Sequence, residues 1–474
     1  MTVENKFDNP DMSPSAADAP AKDDAPREPV ARRLKAVALL LLLVLIVAAL
    51  HMFTRHMLYP CRITLPPGTT VVRSSAIPDS SPPVAWLSRQ KWFRKSRYYK
   101  NVTPYLPYRY YVIPDGAETI AEQAFRGRRY MHGVTIPDSV TTIGQMAFAD
   151  CSSLTRIRLP GSVREIGEAA FIWCTGLKEV TIPDGVTKIG KATFADCSSL
   201  TSIRIPDGVT EIGENAFNGC TGLREVVIPD SVKTIGPGAF QACSSLTSVI
   251  IPDGVTEIGS TTFANCGSLT DIRLPDSLRD IGEDAFSGCR SLRAVDIPDQ
   301  VERIGAKAFM DCTALEEVVL PAGMVRPLTE AEAKQERERW MTTLPEPGPL
   351  LPVPCRAIEI LSFSCCTSLK KVVVPDGILR IGNNAFSGCA ELAEISIPDS
   401  VTRIEEFAFS GCRKLPPVTL GKQVREIGRD AFAKTDCQIT IPDDHQYYKY
   451  DDGIIFSKDG RRVISLVRSS IKRH

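Results

Sequence analysis

An α/β repeat solenoid is the fold class this sequence predicts, and three observations carry it. A unit of 23 residues, clearest at residues 206–228 as PDGVTEIGENAFNGCTGLREVVI, recurs from Ile113 to about Ile441. The proline heading it stands at Pro114, Pro137, Pro160, Pro183, Pro206, Pro229, Pro252, Pro275, Pro298 and Pro321. The phenylalanine eleven places on keeps the same interval from Phe125 to Phe309, and resumes at Phe363, Phe386, Phe409 and Phe432. A period of roughly 20 to 50 residues marks stacked repeats. Length agrees: 474 residues exceed one ordinary compact core, and a solenoid escapes that limit because each coil packs only on its neighbours.

Composition narrows the function classes. Lysine plus arginine (56) equals aspartate plus glutamate (56), so no net field draws the chain to nucleic acid. The five histidines, His51, His56, His132, His445 and His474, are scattered, which argues against a histidine-rich metal site. Of fifteen cysteines, eleven obey the repeat: Cys151, Cys174, Cys197, Cys220, Cys243, Cys266, Cys289, Cys312, Cys366, Cys389 and Cys412. Side chains repeated one coil apart point the same way about 4.8 Å apart, whereas a disulfide needs Cβ atoms that face each other at about 3.8 Å. The row reads as reduced, buried thiols filling space as small apolar groups. Cys61, Cys355, Cys365 and Cys437 lie off it, and Cys355 with Cys365 could bridge across the end of the interruption described below.

Residues 1–30 are rich in Asp, Ala, Pro and Ser without apolar period, and are expected to stay disordered on the cytoplasmic side. Residues 31–53 then read as a transmembrane signal anchor. Arg32, Arg33 and Lys35 precede an apolar run from Ala36, and the 18 residues to Phe53 make about 27 Å of helix, enough to span. A cleaved signal peptide is the rival, with Val47, Ala48 and Ala49 at the cleavage site. Basic residues slightly outnumber those following the run, which places the N-terminus in the cytoplasm and the repeats outside. Residues 54–112 read as a stalk and N-terminal cap. Prolines Pro66, Pro67, Pro82 and Pro83 lead into an aromatic and basic stretch from Trp86 to Tyr111.

Residues 113–321 form a first block of repeats, and one coil shows their logic. Leu223, Val226 and Ile228 are apolar at the first, fourth and sixth places of a short strand. Pro229 ends the strand, and Asp230 is expected to bond the backbone of the turn. Val209 and Ile212 re-enter the core, with Gly213 permitting a bend. Ala216 and Phe217 begin a short helical or 3-10 turn in which the phenylalanine plugs the gap between coils. Residues 322–351 interrupt the period. Thr329-Glu330-Ala331-Glu332 is a capping box opening a charged helix with Trp340 near its end, and Pro345, Pro347 and Pro349 stiffen the return. The repeats resume over residues 352–441. Residues 442–474 form a closing hairpin, signalled by Asp459-Gly460 between apolar alternations, and a basic tail.

The phrase I-P-D-G-V-T-x-I-G-x-x-A-F-x-x-C-x-x-L resembles the BspA-like class of leucine-rich repeats, found on bacterial surface proteins and in some protozoan families. The resemblance covers about 330 residues and thirteen coils. It implies a right-handed coil with a parallel sheet on its concave face, used for adhesion or protein binding, and brings no catalytic residue, metal or cofactor with it. The asparagine usual in leucine-rich repeats is replaced here by Ser162, Gly208, Ser231 and Gly254. The third and fifth strand places then face the concave side: Arg156, Arg158, Glu179, Arg204, Glu225, Asp271, Arg273, Asp296, Glu317, Lys371 and Glu394 are the candidate ligand-binding residues, with Trp340 on the insertion. They show no nucleophile, base and oxyanion-donor set. A row of aspartates from Asp138 to Asp399 has the carboxylates for calcium, but turn bonding accounts for it without a metal. The expected function is that of a membrane-anchored cell-surface protein binding a protein or glycan ligand on another cell or matrix. An intracellular repeat scaffold is the alternative, and an enzyme with a site hidden in the N-terminal cap a more remote one.

Overall fold

The computed structural model describes residue 44 and residues 61–77, 109–325, 356–451, 453–461 and 463–466. The chain divides into two compact units, Met1–Leu58 and Tyr59–His474. Of the first, only Val44 is described, helical and exposed. Among the described residues no helix is long and apolar enough to cross a membrane, and the remainder of the expected anchor at 36–53 lies outside them.

The second unit is a stack of coils with two lines of parallel strands. The first line uses three-residue strands, of which six form one sheet: Arg156–Arg158, Glu179–Thr181, Ser202–Arg204, Glu225–Val227, Ser248–Ile250 and Asp271–Arg273. Glu317–Val319, Lys371–Val373 and Glu394–Ile395 form another. The second line uses two-residue strands such as Glu211–Ile212, paired to Lys188–Ile189 before it and Thr234–Ile235 after it. Registers advance by one repeat, so each side chain lies over its namesake in the next coil. Residues 61–77 already belong to the stack. Cys61–Thr64 pairs in parallel with Arg109–Val112, and Val71–Val72 with Thr119–Ile120.

The side of the coil carrying the phenylalanine is not helical. Asn215 and Gly219 both have left-handed backbones, with φ of 55° and 72°, and equivalent places repeat this along the stack. A helix needs consecutive right-handed residues, so the expected helical turns are replaced by tight turns. The physical reason is where the N–H groups go. Those of Ala216, Asn218 and Cys220 bond three residues back within the coil, while those of Asn215, Phe217 and Gly219 reach the carbonyls of Pro237, Ala239 and Gln241 in the next. Left-handed geometry costs a non-glycine residue about 1–2 kcal/mol, and the inter-coil ladder it permits satisfies backbone groups that would otherwise be buried unpaired.

Two other turn details go beyond the sequence reading. The proline-led turn closes through its backbone, Val209 N–H to the Pro206 carbonyl at 3.0 Å, and the Asp207 carboxylate is exposed. Where serine replaces glycine it ties coils together: Ser231 Oγ donates to the Val209 carbonyl one coil earlier, at 2.6 Å. Gly213 is needed for close approach. A Cβ there would lie 2.8 Å from the Gly190 carbonyl carbon and the Lys191 nitrogen of the preceding coil.

Thirteen phenylalanine rings form one file, from Phe125 to Phe432. Successive centroids lie 5.0 to 5.6 Å apart with planes 2° to 13° from parallel. Tyr111 closes one end edge-on, 5.5 Å from Phe125. The file crosses the interruption unbroken, Phe309 to Phe363 at 5.4 Å, and the first strand line crosses with it, Glu317 opposite Lys371. The second strand line stops at Arg303–Ile304 and restarts at Ala357–Ile358. Met324 is buried, one repeat beyond Val301. The charged helix, Trp340 and Cys355 lie outside the described residues.

The cysteine row is buried and unpaired, and it does more than fill space. Cys220 Sγ donates to the Phe194 carbonyl of the preceding coil at 3.2 Å, and the same bond recurs from Cys151 to Cys412. Burial pushes the Cys220, Cys266 and Cys412 thiols up to about 12. Because the thiolate is the reactive form, these thiols should resist alkylation at pH 8 in the native protein. Cys365, beside the row, is exposed, and mass spectrometry after iodoacetamide treatment should find it modified while the row reacts only after denaturation. Labelling of Cys220 in the native state would contradict this packing.

The C-terminal end carries an antiparallel sheet of Tyr448–Asp451, Ile454–Ser457 and Val463–Leu466, with Asp459-Gly460 at the second turn. Tyr448 Oη donates to the Arg425 carbonyl at 2.9 Å and accepts from the Ile427 N–H at 3.2 Å, pinning the sheet to the last coil.

Candidate interaction surface

Each strand of the six-stranded sheet exposes its outer two residues and buries its middle one. The cause is the pleat: Leu223, Val226 and Ile228 turn inward, so Glu225 and Val227 must turn out. Parallel register then sorts the outward side chains into two lines about 6.6 Å apart, with a step of about 4.8 Å along each. One line runs Arg156, Glu179, Ser202, Glu225, Ser248, Asp271, and the other Arg158, Thr181, Arg204, Val227, Ile250, Arg273.

Every charged strand residue expected on this face is there. Arg156, Arg158, Glu179, Arg204, Glu225, Asp271 and Arg273 share the six-stranded sheet, and Glu317, Lys371 and Glu394 the three-stranded one. Asp296 is exposed just after the bridge from Ala294 to Glu317. All are exposed except Lys371, which is half-buried. Trp340 lies outside the described residues.

Charges on the face are only loosely engaged. Arg156 Nε lies 3.6 Å from Glu179, and Arg204 lies 4.0 and 3.9 Å from Asp184 and Asp207. Lys371 is held more firmly: its Nζ is 2.6 Å from Glu317, whose hydrogen bond and charge raise the lysine's pKa. Exposed pairs of this kind contribute little because solvent screens them, so the face is largely free to exchange its partners. Among the described residues no cluster of three or more His, Cys, Asp or Glu side chains is placed to hold a metal ion.

Four surface residues escaped the sequence reading because attention went to charge. Val227, Ile250, Val319 and Val373 are 71%, 61%, 49% and 42% exposed. The signal was present: they occupy the fifth strand place, where Arg158, Arg204 and Arg273 stand in sister coils.

Stacked parallel strands over a leucine-, phenylalanine- and cysteine-lined core define a leucine-rich-repeat solenoid with an exposed sheet face. The chain belongs to the BspA type leucine rich repeat family, whose region of six copies matches residues 106–224, 210–328 and 351–451. Among solved structures it is similar to a leucine-rich repeat protein from Bacteroides ovatus, at 29% identity and a TM-score of 0.51, over 67% of this chain and 80% of that one. It is also similar to a leucine rich cell surface protein from Faecalibacterium prausnitzii, at 30% identity and a TM-score of 0.41, over 66% of this chain and 83% of that one. No curated protein matches the chain by sequence.

Proposed function

We propose that this is a membrane-anchored cell-surface protein whose sheet face binds protein ligands on another cell or matrix. The observation that carries the reading is the face itself: rows of exposed, loosely paired charges interrupted by exposed aliphatics, all held in register by a rigid stack. The apolar run from Ala36 to Phe53, preceded by Arg32, Arg33 and Lys35, supplies the anchor. The buried thiol row is compatible with an oxidising exterior, because neutral and inaccessible thiols do not exchange.

The test is labelling of intact cells with a membrane-impermeant amine reagent. Lysines of the repeats, such as Lys178 and Lys188, should react while Lys6 and Lys22 remain protected until lysis. Protection of the repeats in intact cells would favour the intracellular scaffold instead.

A further inference from the structure

The face has a built centre that charge alone does not reveal. Arg204 pairs with Val227, and Ile250 pairs with Arg273, while the intervening strands are joined through Glu225 and Ser248. Arg204, Val227, Ile250 and Arg273 therefore form one line across four strands, about 14 Å from end to end. Single exposed aliphatics are ordinary, but Val227 and Ile250 are neighbours on the line and more than 60% exposed. No ion pair reaches Arg273 among the described residues, and those to Arg204 are at 3.9 and 4.0 Å. Two cations are thus held at the ends of an apolar pair with little of their charge spent internally.

We infer that this line docks a protein segment with two apolar side chains bracketed by carboxylates. The inference rests on the reading that the sheet face binds protein, and adds the chemistry of the partner. Charge complementarity selects the occupant. A second copy docking about a twofold axis between Val227 and Ile250 would set Arg204 of one copy against Arg273 of the other, so self-association through this patch is repelled. The parallel line carries Glu225 and Asp271, two residues from Val227 and Arg273. Acid groups are therefore welcome on the arginine line and not beside it, which fixes how the segment must lie.

The experiment uses the full chain and short synthetic peptides with a central Leu-Val pair, flanked by Glu, by Ser or by Lys. The Glu-flanked peptide should bind about tenfold more tightly than the Lys-flanked one. The order should reverse on the Arg204→Glu, Arg273→Glu chain, and binding of both should be lost on the Val227→Ser, Ile250→Ser chain. All four positions are exposed, and an unchanged melting temperature verifies the fold. Binding that ignores these changes but is lost with Glu317→Lys and Lys371→Glu would overturn this patch while leaving the sheet face as a binding surface. Failure of every peptide to respond to either set of changes would overturn both.

Discussion

Replacing Phe240 by Ala should cost about 3–5 kcal/mol, the range for emptying a buried aromatic site. The ring stands between Phe217 and Phe263, with centroids 5.3 and 5.5 Å away, and is fully buried. Removing it opens a cavity that neither neighbour can fill, because each is held by the next ring in the file. A coil contributes eight buried side chains, from Val209 to Ile228 in the unit shown above, and none of those coils has a core of its own. The loss should therefore spread. Denaturant unfolding should shift to lower concentration, and hydrogen exchange should accelerate first in the coils carrying Phe217 and Phe263. An unchanged transition in the Phe240→Ala chain would remove the stacking account.

Arg380→Leu should be nearly as damaging, and for an electrostatic reason. The guanidinium lies 2.9 Å from Glu359 and 3.2 Å from Glu405, and all three side chains are about four-fifths buried. Burial works against the arginine's charge, yet the two carboxylates outweigh it and raise its pKa. These glutamates occupy the place that glycine holds in most coils, one repeat either side of Gly382, so Arg380 is what makes two acids tolerable there. Without it, Glu359 loses its ion pair in a partly desolvated site, while Glu405 keeps the Asn383 N–H at 2.9 Å and Arg403 at 4.0 Å. Breaking a buried pair costs about 3–5 kcal/mol, which the residual exposure reduces to about 2–3 kcal/mol. Chemical denaturation at pH 7 should show that deficit, and adding Glu359→Gln and Glu405→Gln should relieve it. A deficit that survives the two glutamine changes would mean the arginine acts through packing alone.

Much of this molecule is legible without coordinates because a repeat states its rule many times over. One coil is ambiguous, but thirteen phenylalanines at one interval leave a single way to bury them together. The third and fifth strand places turn outward by the same rule, and the rows that follow from parallel register contain the charges that stand there. Exposure of Val227 and Ile250 was missed through selecting residues by charge, although their place in the repeat already turned them outward.

What the repeat by itself determined is the stack, its strand positions, its buried file of rings and its unpaired thiols, since each depends only on which residues recur at 23-residue spacing. Tertiary structure alone decided how each turn closes and what each small residue is for. The left-handed residues at Asn215 and Gly219, the contact that Gly213 makes room for, and the thiol bond to the carbonyl of Phe194 all arise between neighbouring coils. The physical reason is that backbone groups in a tight turn can bond along the chain or across to the next coil. Only the distance between coils, about one strand spacing, makes the second choice available.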